Sequence, residues 1–144
     1  MIKALISSFL GTLAFSVLFN VDKKYYILCG TTGMAGWFIY CITVDLTSSS
    51  VASFFGTVMV VLMARIFSVW KKCPITLFLI PGIFPLVPGT GVYYTAYYFV
   101  MNDMAQASTM GISSIKIAFA IVLGIIFIVS IPRNWFSIKY WKSK

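Results

Sequence analysis

Apolar positions along the chain gather into five long runs, at about residues 2–19, 25–44, 51–69, 74–101 and 112–131. Short polar stretches separate them, carrying Asn20 to Lys24, Asp45 to Ser50, Lys71 and Lys72, and Asn102, Asp103 and Gln106. A run of about twenty apolar residues is what a helix needs to cross some 30 Å of hydrocarbon. The pattern predicts an all-α, polytopic integral membrane protein with five transmembrane helices in one domain spanning residues 1–144. A basic, aromatic tail at 132–144 reads as an interfacial segment resting on the lipid bilayer. The first run is long for a signal peptide and no small-x-small cleavage site follows it, so it reads as a retained helix.

The fourth run departs from the pattern. As continuous helix it would be roughly 40 Å long, more than the bilayer core requires. Its middle reads Ile80-Pro81-Gly82-Ile83-Phe84-Pro85-Leu86-Val87-Pro88-Gly89-Thr90-Gly91 and holds three of the chain's five prolines. Each proline removes a backbone donor and obstructs the carbonyl four residues earlier, and each glycine adds backbone freedom. A Pro/Gly-broken fourth span follows: a half-helix, an irregular centre, and a second half-helix opening near Thr90, which can cap it. Irregular backbone at membrane depth survives where protein packs on it or where it lines a watery cavity. A helix N-terminus delivered there offers unpaired amides and a positive dipole end, which suit a small carboxylate-bearing substrate.

Other residues admit two readings each. Arg65, near the end of the third run, either snorkels to the headgroups or faces a cavity and binds an anion. Tyr93, Tyr94, Tyr97 and Tyr98 either form an interfacial belt or wall a cavity with hydroxyls. Gly30, Gly33 and Gly36, three residues apart, suit close helix packing.

Composition narrows the chemistry. The chain is 60% hydrophobic and 10% charged, with mean hydropathy +0.97. Its net charge of +8 would suggest nucleic acid in a soluble protein, but the cations sit at the ends of apolar runs. With five spans, nine cations share one side with the tail and only Lys3 and Lys116 face the other. That bias predicts a cytoplasmic C-terminus and an N-terminus outside, with no nucleic-acid partner. There is no histidine or glutamate, and the acids are Asp22, Asp45 and Asp103. No catalytic constellation, metal site or cofactor motif can be assembled from these, so the expectation is a non-enzyme without cofactors. Cys29, Cys41 and Cys73 read as small apolar fillers.

The stretch Leu79-Ile80-Pro81-Gly82-Ile83-Phe84-Pro85-Leu86-Val87-Pro88-Gly89-Thr90-Gly91-Val92-Tyr93 resembles the signature of the threonine/serine exporter family. More closely, it is similar to the small membrane half that some bacteria encode as a separate chain. Length, the five-run pattern, Arg65 ahead of the motif and Tyr97 after it fit the same resemblance. It implies export of threonine and serine, or of dicarboxylates such as succinate, driven by an ion gradient. It also implies a larger membrane subunit as partner. By that resemblance the candidate substrate-binding residues are Pro81, Gly82, Pro85, Pro88, Gly89, Gly91 and Tyr93, with Thr90, Tyr97 and Arg65 added from the residues themselves. The alternatives are a self-sufficient homo-oligomeric channel or carrier and a non-transport membrane scaffold.

Overall fold

The computed structural model describes residues 2–131 of the chain. The predicted interfacial tail, with Pro132 and Arg133, lies outside the described residues. The described chain is all-helical: α1 (Ile2–Leu18), α2 (Tyr26–Val44), α3 (Ser49–Lys71), α4 (Thr76–Ile83), α5 (Gly89–Val100) and α6 (Met104–Val129). Short 3-10 turns at Lys23–Tyr25 and Phe84–Leu86 precede α2 and follow α4.

Three helical stretches, Lys23–Val44, Ser49–Lys71 and Met104–Val129, are long and apolar enough to cross a membrane. A fourth crossing results if Thr76–Leu86 and Gly89–Val100, which meet at a 50° bend, form one broken span. With 17 residues, α1 is shorter, roughly 26 Å at 1.5 Å per residue.

Helices α1, α3 and α5 end where the sequence supplies a left-handed residue. Asn20, Lys72 and Asn102 have φ of 53°, 54° and 64°. Behind Asn20 and Asn102 the chain closes paired reverse bonds: Val21 N to Ser16 O at 3.0 Å, and Asp103 N to Tyr98 O at 2.9 Å. These satisfy carbonyls that the helix end leaves open. At the other ends, Ser48 Oγ accepts from Val51 N at the start of α3, and Asp103 accepts from Gln106 N at the start of α6. The Asp103 cap corrects one sequence expectation. Gln106 is not in a turn, because α6 begins at Met104, eight residues before the apolar run. Hydropathy marks the lipid-crossing part of a helix, not its full length.

The interfaces between helices are built from small and hydroxyl-bearing residues. Ser8, Thr12, Ser16, Thr32, Ser53, Thr57 and Ser68 are buried, while Leu10, Ile27, Phe55, Phe119 and Phe127 are exposed. Lipid tails are as apolar as leucine, so burial of large side chains gains little inside a membrane and close backbone approach gains more. Most buried hydroxyls donate to a carbonyl of their own helix, as Thr12 to Ser8 and Thr57 to Ser53. Ser8 Oγ instead reaches across to Gly33 O at 3.2 Å. The three α2 glycines serve two neighbours. A Cβ at Gly30 or Gly33 would strike Phe9 or Thr12 of α1, whereas one at Gly36 would strike Val60 of α3 and approach Gly56 O to 3.2 Å. The resulting bundle has α2 packed on α1, α3 and α4, with α6 on the far side of α3 and α5 resting chiefly on α6.

Candidate functional site

The proline-rich stretch breaks at one place, and the backbone explains why. Pro81 lies inside α4. It denies Leu77 O its usual amide, and the thiol of Cys29 donates to that carbonyl instead, at 3.5 Å. Cys29, Ala64 and Phe78 form the buried cluster that fixes this contact. Helix therefore continues past Pro81 and Gly82, contrary to the expectation that the irregular centre begins there. Gly82 is wedged between helices, because a Cβ on it would lie 2.9 Å from Thr32 Cγ2 and 3.1 Å from Val60 Cγ1.

Pro85 sits in the 3-10 turn, where Phe84 N donates to Pro81 O and Val87 N to Phe84 O. Phe84 stacks on Phe15 of α1 with ring centroids 3.8 Å apart, and Leu86 is buried against Val60 and Ile121. These two side chains pin the turn to opposite parts of the bundle. The discontinuity follows at Val87 and Pro88. Val87 is extended (φ −64°, ψ 130°), Pro88 has φ −76° and ψ 55°, and Gly89 N donates to Val87 O at 2.8 Å. This is an inverse γ-turn centred on proline, and α5 starts immediately after it.

Thr90 does not cap α5. Pro88 is the N-cap residue, and it has no side-chain group to offer. Val92 N reaches Pro88 O at 3.1 Å and Gly89 N is taken by the γ-turn. Among the described residues nothing accepts from the amides of Thr90 and Gly91. Two donors at a positive helix end are thus left beside the break.

They border a cavity of about 520 Å³. Pro85 to Gly91 form one wall. The others come from Trp37 and Tyr40 of α2, Ser49 and Ser53 of α3, Tyr94 of α5, and Ser113 and Ser114 of α6. Trp37 and Tyr40 stack with centroids 4.9 Å apart. Ser53 and Ser114 donate to Ser49 O and Met110 O, so their hydroxyls face other groups as acceptors. The cavity lies beside the first two turns of α3, toward the turn at 45–48, and against the second to fourth turns of α6.

The structure brings together Pro85, Pro88, Gly89, Thr90 and Gly91 from the sequence-derived set. Pro81 and Gly82 lie one turn away in helix packing. Tyr93 and Tyr97 stack on each other at 6.4 Å on the outer face of α5, with Tyr93 63% exposed, and neither lines the cavity. The tyrosine that does is Tyr94. Arg65 stands elsewhere. Its guanidinium donates to Val129 O at 2.6 Å and to Ile131 O, capping the C-terminal carbonyls of α6. With Ser68, Lys72, Cys73 and Pro74 it borders a separate cavity of about 400 Å³. Burial pushes the Cys73 thiol there above its ordinary range. Trp37, Tyr40, Ser49, Ser53, Ser113 and Ser114 were not among the sequence candidates. They reach the motif only through helix packing across more than twenty residues of chain.

The family model for the threonine/serine exporter, ThrE, matches residues 4–131. The chain belongs to the threonine/serine exporter family. No curated protein and no solved structure matches this exporter-family chain. The matched segment contains the whole break, its cavity, helices α2 to α6 and all but the first two residues of α1, so the arrangement described above is that of a multi-pass membrane protein of exporter type.

Proposed function

We propose that the chain is the membrane subunit of a secondary transporter that exports threonine and serine, with dicarboxylates such as succinate as further cargo. The observation that carries this reading is that Thr90 and Gly91, whose amides have no acceptor among the described residues, line a 520 Å³ cavity within a chain of this family. A carboxylate seated there would be met by two backbone donors and a helix dipole. The serine hydroxyls of Ser53 and Ser114 would accept from a cargo ammonium or hydroxyl.

In this reading α4 and α5 make one broken fourth span, α1 is the first of five, and the N-terminus faces outward with the C-terminus in the cytoplasm of a bacterial inner-membrane protein. The cavity then lies on the outer half of the bundle. A larger membrane subunit would supply the other half of the pathway and the titratable group for ion coupling, since Asp22, Asp45 and Asp103 all lie in turns. The chain acts as a carrier and not as an enzyme.

The test is efflux of preloaded labelled threonine and serine from bacteria that lack their own exporters. Co-expression with the larger family subunit should speed efflux several-fold over the subunit alone. Efflux no faster than in vector controls would sink the reading, and full efflux by this chain alone would replace the two-subunit form with a homo-oligomer. A fluorescent protein fused after Lys144 should light up and a phosphatase fused there should stay silent. The reverse result would invert the orientation.

A further inference from the structure

Trp37 Nε1 is a buried polar side-chain atom with no hydrogen-bond partner among the described residues. The indole borders the cavity. A buried donor left without an acceptor costs about 1–3 kcal/mol, and phenylalanine, though smaller, would keep an aromatic ring there without that cost. We propose that Trp37 is a substrate-positioning residue whose indole N–H finds its acceptor in the carboxylate of bound cargo. The inference rests on the exporter reading of the cavity.

Three features of the site support it. The cavity has no lysine or arginine among its lining residues, so a carboxylate there depends on neutral donors. The Thr90 and Gly91 amides supply two, and both lie on the motif side. The hydroxyls of Ser53 and Ser114 are turned back to their own helices, which spends their protons. On the α2 side the wall carries two side-chain donors, the Tyr40 hydroxyl and the Trp37 indole, and of these the indole N–H is the one that is buried without an acceptor. Its nitrogen is covered in this structure, so engagement requires the ring to slide on Tyr40, its stacking partner. Loading and a shift of the Trp37–Tyr40 pair are therefore one event.

The experiment uses the full chain in nanodiscs with ¹⁵N-labelled tryptophan, titrated with L-serine. The Trp37 indole resonance is assigned by its loss in Trp37→Phe. It should move downfield on adding serine, the direction expected when an N–H gains a charged acceptor. Trp37→Phe should bind serine roughly ten-fold or more weakly, the worth of a hydrogen bond to a charged group. An indole signal that stays still on saturation, or a Trp37→Phe affinity within two-fold of wild type, overturns the proposal while leaving the exporter reading intact. A wild-type chain that does not bind serine in nanodiscs and does not export it when co-expressed with the larger subunit overturns both.

Discussion

Alanine at Gly91 places a methyl group against Ser114 Oγ, whereas the same change at Gly89 meets nothing within 4 Å. The two glycines are two residues apart in the first turn of α5, and neither has a positive φ. Intrinsic backbone preference therefore treats them alike, and packing alone separates them. Ser114 cannot yield cheaply. Its hydroxyl is buried and donates to Met110 O at 2.8 Å, so rotating it away forfeits about 1 kcal/mol, and leaving it forces α5 off α6. Gly91→Ala should cost about 1–3 kcal/mol, the usual range for overpacking. Gly89→Ala should be neutral or stabilise by up to about 1 kcal/mol, through the lost freedom of the unfolded chain. Unfolding of both variants in nanodiscs, followed by helical circular dichroism, measures the difference. The sharper control is Gly91→Ala combined with Ser114→Ala. The added Cβ would then lie 3.6 Å from the Ser114 Cβ, an ordinary contact, and stability should return. If Gly91→Ala is as stable as Gly89→Ala, or if Ser114→Ala fails to rescue it, α5 does not rest on α6 as described.

Gly89→Leu should keep the fold but abolish export, because its side chain enters the open space at the start of α5; wild-type efflux from a well-expressed Gly89→Leu would remove that space from the pathway. Cys29→Ala should destabilise by about 1–2 kcal/mol in the native background and by less beside Pro81→Ala, which gives Leu77 O its amide back; a double-mutant cycle with no coupling would refute the thiol's role. Arg65→Gln should cost about 1 kcal/mol, reduced by partial exposure, with faster amide exchange in the last turn of α6; unchanged exchange there would show that the guanidinium does not hold that helix end.

The features legible in the sequence were those set by neighbours in the chain. Apolar runs gave the helices, and Asn20 and Asn102 gave two of their stops. Glycine spacing gave the close crossings of α2, though not their division between α1 and α3. A further local signal was present and passed over. Ser8, Thr12 and Ser16 recur at four-residue spacing and form the buried stripe of α1. What could not be read was set at long range. Whether Pro81 breaks a helix depends on Cys29, 48 residues before the carbonyl it serves. Whether Arg65 meets a ligand or a helix end depends on α6, 64 residues away. The tyrosine nearest the motif in helical register, Tyr94, faces the cavity while Tyr93 and Tyr97 turn out, a matter of how α5 is rotated on α6.

The polar accounting across the break explains why the cavity and the motif belong together. Three prolines remove three donors, and the chain answers each time: a distant thiol at Leu77 O, a tightened turn at Pro81 O and Phe84 O, a γ-turn at Val87 O. What remains is an excess of donors, the amides of Thr90 and Gly91. At a helix end in water such groups are solvated without penalty. Beside hydrocarbon each would cost several kcal/mol, together a large share of the marginal stability of a small domain. The walls opposite them are accordingly rich in serine and tyrosine, drawn from α2, α3, α5 and α6, and the space between is wide enough for water or a small polar solute. A kink alone would need none of this lining. If the break lies inside the membrane, the hydroxyls on these walls are what allows its backbone to persist there, and the proposed carboxylate site draws on the same donors.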